Sequence, residues 1–300
     1  MGLKLLAFDV GGTEIKYGIV KNALTITDKG FVPSPKDSFD SFANMIDSIY
    51  QQYKDKVDGI AMSLPGFIDV KNGRCNGGGS LRYNNGLFIG PLLEEKCGCR
   101  VVLENDGKAA ALAEYRYGAL QGCGNAAVFV IGTGVGGGLI INGQIVRGRH
   151  STSGEFSFLV SDSREFYDYA NMLGNNCSTT FLLNTYQRRT GSSKPIDGLE
   201  FFARMSEDPI AQETLNELCE NIAKQIYNLY WLLDLEKIAI GGGISKQPIV
   251  TEKIKEKFKE VVEKSFTGQS HFQVEIEIVP CRFGNDANLI GSYINYLENR

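Results

Sequence analysis

The chain has 300 residues, 43% apolar and 22% charged, which excludes wholesale disorder and gives length for about two domains. Lys plus Arg number 31 against 35 for Asp plus Glu, a formal net charge of -4, which argues against a nucleic-acid surface spread over the whole chain. No run of ~18 apolar residues offers a membrane span, the start turns polar too soon for a signal peptide, and seven Cys without a secretory segment point to reduced thiols in a cytoplasm.

Leu5–Val10 reads as a strand, Gly11-Gly12-Thr13 as a turn and Ile15–Val20 as a second strand, so the chain opens with a hairpin and not a βαβ unit. Residues 24–32 continue the meander. Over residues 39–53 the period changes: Phe39, Phe42, Ile46, Ile49, Tyr50 and Tyr53 share one helical face. Residues 57–64 return to strand, stopped by Pro65-Gly66, and residues 71–90 read as a Gly- and Asn-rich loop. Residues 101–103 form a short strand. Asn105-Asp106 sits where a helix begins, with Lys108–Tyr117 rich in Ala, Leu and Glu.

A second cycle follows. Residues 126–131 are a strand, Gly132–Gly138 a glycine loop, and residues 139–141 and 144–146 flank Asn142-Gly143, a strong hairpin signal because both residues tolerate positive φ. Strand, glycine loop, strand thus occurs twice, a sign of two related halves. Residues 164–233 read as largely helical, with Leu215, Leu218, Ile222, Ile226, Leu229 and Leu233 as a stripe. Residues 237–240 are a strand ending in Gly241-Gly242-Gly243, residues 253–264 a charged helix, residues 274–279 a strand and residues 285–298 a closing helix. The alternation predicts an α/β fold.

Thirty-five glycines, clustered between apolar runs, mark loops where backbone must approach something closely. Gly132-x-Gly134-x-x-Gly137 matches the dinucleotide pattern in spacing but opens a strand instead of a helix, and no GxxxxGK[ST] phosphate loop is present. A glycine hairpin can still bind phosphate through consecutive amide N–H groups; the plain alternative is a tight turn. Asp9, at a strand end beside such a loop, suits Mg²⁺ held mostly through water, or caps the loop. Asp106 is a natural helix cap, and the same position would hold it ionised as a proton acceptor. Glu155, in Ser153-Gly154-Glu155, either binds a polar ligand or is surface. His150 and His271 are too isolated for a zinc centre, and Cys97-Gly98-Cys99 is too tight for a CxxC ligand pair.

Together these pieces resemble the ROK family of sugar kinases and repressors, in the actin-like ATPase superfamily. The resemblance rests on Asp9-Val-Gly-Gly-Thr13, Leu64-Pro-Gly-Phe-Ile-Asp69, Glu104-Asn-Asp-Gly-Lys-Ala109, Ile131-Gly-Thr-Gly-Val-Gly-Gly-Gly138, Gly154-Glu155 and Ile240-Gly-Gly-Gly-Ile244, over nearly the whole chain. It implies two actin-like (ribonuclease H-like) domains with a ligand cleft between them: residues 1–106 with 284–300, and residues 107–283. It also implies ATP and Mg²⁺ as cofactors, with Asp9, Gly11, Gly12, Thr13 and Lys16 at one phosphate loop, Thr133 and Gly134 at the other, and Gly242 and Gly243 near adenosine. Asp9 would hold Mg²⁺ through water. Gly66, Asn105 and Glu155 would hold the sugar, and Asp106 would be the base for its 6-hydroxyl. A homodimer is expected, with a small sugar or β-glucoside as partner and no nucleic acid or membrane.

The departures narrow the expectation. The family usually has Glu-Ile-Gly-His where this chain has Glu155-Phe-Ser-Phe158, and its Cys-rich zinc segment is reduced to Asn175-Asn-Cys-Ser-Thr179. Thr179 stands where a sugar-binding glutamate is expected, and no zinc is carried over. Phe158 replaces a polar partner near the sugar's O1 and O2 with an aromatic face on which an aglycone or second sugar could pack. With the closing Gly284-Asn-Asp-Ala-Asn-Leu-Ile-Gly291, this looks like the β-glucoside kinases of the family. The expected substrate is therefore a β-glucoside such as cellobiose. Glucose or N-acetylmannosamine is the alternative within the class, and a silent sugar sensor or transcriptional regulator the alternative outside it. Asp9 stands eight residues from the start, which leaves no room ahead of it for a helix-turn-helix.

Overall fold

A computed structural model describes residues 2–22, 24–270 and 272–299. They divide into two compact units, one of Met1–Ala113, Ile145–Ser153 and Asp286–Arg300, the other of Glu114–Gln144 and Gly154–Asn285.

In the first unit, β1 (Lys4–Val10) carries the apolar run Leu5–Phe8, buried throughout, as befits a central strand. β2 (Glu14–Lys21) and β3 (Thr25–Pro33) extend it as an antiparallel meander. α1 (Phe39–Tyr53) starts at Ser38, whose Oγ accepts the Ser41 amide at 3.2 Å, and buries Phe42, Ile46, Ile49 and Tyr50. β4 (Ile60–Leu64) runs parallel to β1. Residues 71–90, expected to be loop, are more ordered: β5 (Phe67–Asp69) and β6 (Arg74–Asn76) form a small hairpin, and α2 (Ile89–Cys97) begins at the end of the segment. α2 escapes the sequence pattern because Gly90 and Pro91 occupy its first turn, where Pro costs no helix bond; Ile89, Leu93 and Cys97 nonetheless share its buried face. β7 (Val101–Asn105) lies parallel to β4 and leads into α3 (Asp106–Tyr117), whose residues from Glu114 on belong to the second unit.

The second unit opens with β8 (Ala126–Ile131) and β9 (Val135–Ile141), paired antiparallel. The predicted loop over Gly132–Gly138 is thus corrected: only 132–134 turn, and Gly136–Gly138 are strand. Glycine density there reflects side chains laid on the sheet, since a Cβ at Gly137 would run into the Phe156 ring. Asn142 (φ +51°) and Gly143 (φ +73°) make the expected turn into β10 (Gln144–Val146). The stretch read as largely helical contains single 3₁₀ turns, then α4 (Leu173–Asn176), α5 (Thr179–Thr190), α6 (Gly198–Arg204) and α7 (Pro209–Leu233). β11 (Lys237–Gly241), α8 (Pro248–Lys264), β12 (Glu277–Pro280) and, back in the first unit, α9 (Ala287–Glu298) follow. β12 is shorter than the predicted 274–279, its first half being irregular.

The sheets run β3-β2-β1-β4-β7 and β10-β9-β8-β11-β12. In each, an antiparallel hairpin supplies the central strand, and the next two strands join parallel to it. The repeat seen in the glycine loops is therefore a repeat of whole sheets. Among the described residues no helix is long and apolar enough to cross a membrane.

In α7, Leu215, Leu218, Ile222 and Ile226 are buried while Leu232 is 76% exposed. Ile222→Ala should lower unfolding stability by about 2–4 kcal/mol and Leu232→Ala by less than about 0.5 kcal/mol in urea titrations. Equal losses would contradict the assigned face.

Candidate active site

The β1–β2 turn is closed by the Gly11 amide donating to the Glu14 carbonyl at 2.9 Å. Ser34 holds it from behind: its Oγ donates to the Gly11 carbonyl at 2.7 Å and its amide to the Thr13 carbonyl at 2.9 Å. Among the described residues the amides of Gly12 and Thr13 have no acceptor. The β8–β9 turn repeats the device. Gly132 N donates to Gly134 O at 2.9 Å, its carbonyl accepts from Thr179 N at 2.9 Å, and the amides of Thr133 and Gly134 have no acceptor among the described residues. Thr13 and Thr133 stand exposed at the two tips. Adjacent unengaged amides in a glycine turn attract a phosphate oxygen.

Asp9 ends β1 opposite Lys16 of β2. Its Oδ1 accepts from Ser63 Oγ at 3.1 Å and from Asn288 Nδ2 at 2.8 Å. Desolvation pushes the carboxyl above the usual range, against the Asn288 hydrogen bond and the Lys16 charge, which lower it. Lys16 itself pairs with Glu14 at 3.3 Å. A desolvated carboxylate with Oδ2 outside these bonds fits a hydrated divalent cation, whose charge would offset the burial.

Pro65-Gly66 crosses above β4. Gly66 has φ +108°, and a Cβ would come 3.1 Å from Gly78 N; a Cβ at Gly79 would come 2.8 Å from Pro65 Cβ, so that glycine admits the crossing. The Gly66 carbonyl accepts Asn105 Nδ2 at 3.0 Å. Asn105, ending β7, also caps α3, its Oδ1 accepting Lys108 N at 3.0 Å. The cap expected at Asp106 is therefore at Asn105, and the helix starts two residues before Lys108. Asp106, in the first turn, accepts Gly107 N at 2.8 Å. Beneath them Glu104 is fully buried. Its Oε1 accepts Asn105 N at 2.9 Å and its Oε2 accepts Arg147 Nε and Nη2 at 2.9 and 2.7 Å. Arg147 Nη2 donates also to Asn295 Oδ1 at 2.9 Å, and Asn295 Nδ2 donates to the Leu103 carbonyl at 2.9 Å. Burial pushes the Glu104 carboxyl up, while the charges of Arg147 and the buried Lys108 draw it back.

Gly66, Asn105 and Asp106 thus come together in the first unit. Glu155 and Phe158 belong to the second, Glu155 preceding and Phe158 ending a 3₁₀ turn over Phe156–Phe158. Phe156 is buried and stacks on Phe129 at 5.4 Å, Ser157 Oγ accepts Val135 N at 2.9 Å, and Phe158 is 59% exposed. A cavity of about 530 Å³ in the second unit is lined by Thr133, Thr179, Leu183, Asp197, Leu199 and Gly243, among others. Gly242, beside it, has φ +97°, and a Cβ would overlap the Ile131 carbonyl oxygen. Thr179 faces this cavity beside Thr133.

Sequence reasoning missed several of these residues. Ser63, Asn288, Glu104 and Arg147 act through partners distant in the chain. Leu183 and Leu199 lie in a stretch read only as helical. Asp197 left one usable sign, Asp-x-x-Glu: its Oδ1 accepts Glu200 N at 2.8 Å and caps α6. His271 lies outside the described residues.

A carboxyl raised by burial favours folding when protonated and opposes it once pH exceeds the raised value. Asp9→Asn should therefore raise the thermal midpoint of the ligand-free protein at pH 8, with the gain vanishing at pH 4. A gain that grows on acidification would contradict the desolvation account.

The ROK family model matches residues 5–298. The chain is 34% identical to the beta-glucoside kinase of Listeria innocua over 257 residues, 84% of this chain and 87% of that protein. It is 31% identical to the beta-glucoside kinase of Listeria monocytogenes, covering 99% of each. A ROK family protein from Streptococcus pneumoniae, solved in complex with sucrose, superposes with a TM-score of 0.87 at 28% identity, over 99% of this chain and 98% of that one. The paired five-stranded sheets are those of the actin-like fold, and the chain belongs to the ROK family.

Proposed function

We propose that this protein is a sugar kinase that transfers the terminal phosphoryl group of ATP to the 6-hydroxyl of a glucose unit, and that its substrate is a β-glucoside such as cellobiose. The observation that carries the reading is the pair of matched turns, Gly12-Thr13 and Thr133-Gly134, each offering two adjacent amides with no acceptor among the described residues. Each turn, taken by itself, suits a phosphate group. Lys16 adds a cation at the first turn, and Gly243, preceded by Gly242, lines the cavity that would take the adenosine.

The chain's own groups divide the work as follows. Gly66, Asn105 and Glu155 bind sugar hydroxyls. Asn105 is fixed in one amide orientation by bonds to Gly66 and Lys108, so its remaining donor and acceptor sites are set before the sugar arrives. Asp106 accepts the proton of the 6-hydroxyl as that oxygen attacks phosphorus. Phosphoryl transfer needs positioning and charge compensation more than covalent help, and the amides of both turns supply these. Asp9, with Ser63 and Asn288 behind it, would hold Mg²⁺ through water; the bound ion would neutralise charge on the phosphates. Phe158, in place of a polar sugar ligand, suits a sugar whose anomeric oxygen carries a substituent.

Asp106→Asn should keep cellobiose binding in calorimetry and lower kcat by about 10²–10⁴-fold; near-normal turnover would remove Asp106 from this role. Across glucose, N-acetylmannosamine, N-acetylglucosamine and cellobiose, ADP release should show the highest kcat/KM with cellobiose. Preference for free glucose would overturn the substrate, and ADP release indifferent to every sugar would overturn the kinase reading.

A further inference from the structure

Between the β5–β6 hairpin and the segment after β10, the first unit holds a cavity of about 550 Å³ that none of the roles above uses. Its wall includes Phe67, Asp69, Lys71, Asn76, Arg149 and His150. This is aromatic surface with donors, an acceptor carboxylate and an amide, at a volume usual for small-ligand sites. The mixed signs matter. A phosphate would meet the Asp69 carboxylate, whereas a sugar ring presents hydroxyls that donate and accept in turn.

Gly66, Asn105 and Asp106 do not line the cavity, but two of its wall residues, Phe67 and Arg147, are linked to them through the chain and through hydrogen bonds. Phe67 follows Gly66, whose carbonyl holds Asn105. Asn76 is the β-partner of Phe67, and a Cβ at Gly77 would come 3.2 Å from the Phe67 ring, so the glycine seats that ring. Arg147, also on the wall, grips Glu104, whose other oxygen holds the Asn105 amide.

The geometry points to this cavity as an outer subsite that takes the second ring of a β-linked disaccharide while Gly66, Asn105 and Asp106 hold the first. The inference rests on the glucoside reading above and adds where the second ring binds. Lys71, Arg149 and His150 donate to its hydroxyls. Asp69, whose oxygens each accept one bond from Asn72, accepts from them, and Phe67 covers an apolar face of the ring.

Steady-state kinetics of the full chain with ATP, comparing cellobiose with methyl β-glucoside, test it. The Lys71→Ala/His150→Ala variant should raise KM for cellobiose about tenfold with kcat kept, and leave KM for methyl β-glucoside within about twofold. An unchanged cellobiose KM, or equal rises on both glucosides, would overturn the subsite. Wild-type turnover of both glucosides alongside such a result removes the subsite alone, whereas wild-type turnover of glucose but of neither glucoside removes the substrate reading and the subsite with it.

Discussion

A turn that joins the first two strands of each sheet and leaves two neighbouring amides without an acceptor among the described residues is the constraint from which the site follows. A backbone N–H without a partner is tolerable only where water or an anion can reach it. The turn must therefore be short, exposed at its tip and nearly free of side chains, which is why Gly11-Gly12 and Gly132–Gly134 carry so much glycine. Each first glycine spends its amide inside the turn, on Glu14 or on Gly134, so the loop is closed by the residue that cannot serve a ligand. The two turns are not equivalent, however. Val10 pairs with Ile15 and Ile131 with Val135, so the residues one step earlier, Asp9 and Val130, correspond in register. A carboxylate stands at only one of them, which puts the candidate cation at the first unit's loop.

A buried charge organises the other half of the site. Glu104 is fully buried and doubly bonded by Arg147, with Asn105 N on its second oxygen. Removing one partner of such a pair typically costs about 3–5 kcal/mol, because the other charge is left in a poor solvent. What the pair does here is fix the backbone at Asn105, and through it the start of α3, where Asp106 lies. Arg147 comes from a segment 43 residues further along the chain and is held in turn by Asn295 of the closing helix. Lys108, fully buried, adds a weaker positive charge that also lowers the Glu104 carboxyl.

Much of this was legible in residues 5–13 and 126–134, where apolar runs stop at glycine and the chain turns back. The helix over residues 39–53 was equally plain, because its apolar period and its Ser38 cap agree with each other. What the sequence hid has three physical sources. Gly136–Gly138 read as loop because glycine marks backbone closeness without saying what comes close; here it is the Phe156 ring on a strand. α2 was masked by Gly90 and Pro91, residues that break a helix interior and are harmless at its start. The partners of Asp9 and Glu104 lie 54 residues away or more, or 43, and no local pattern announces them. Asp106 has the residue type of a cap, but Asn105 fills the position, its Oδ1 accepting Lys108 N while its Nδ2 reaches Gly66.

In the proposed reaction the terminal phosphoryl group of ATP passes to a primary sugar alcohol beside Asp106. Phosphorus–proton correlation spectra of the product made from cellobiose and ATP test it most directly. The account predicts one phosphorus signal coupled to the C6 protons of the non-reducing glucose, formed in step with ADP. Phosphorus coupled to an anomeric or secondary carbon's proton, or ADP formed with inorganic phosphate and no sugar ester, would contradict it.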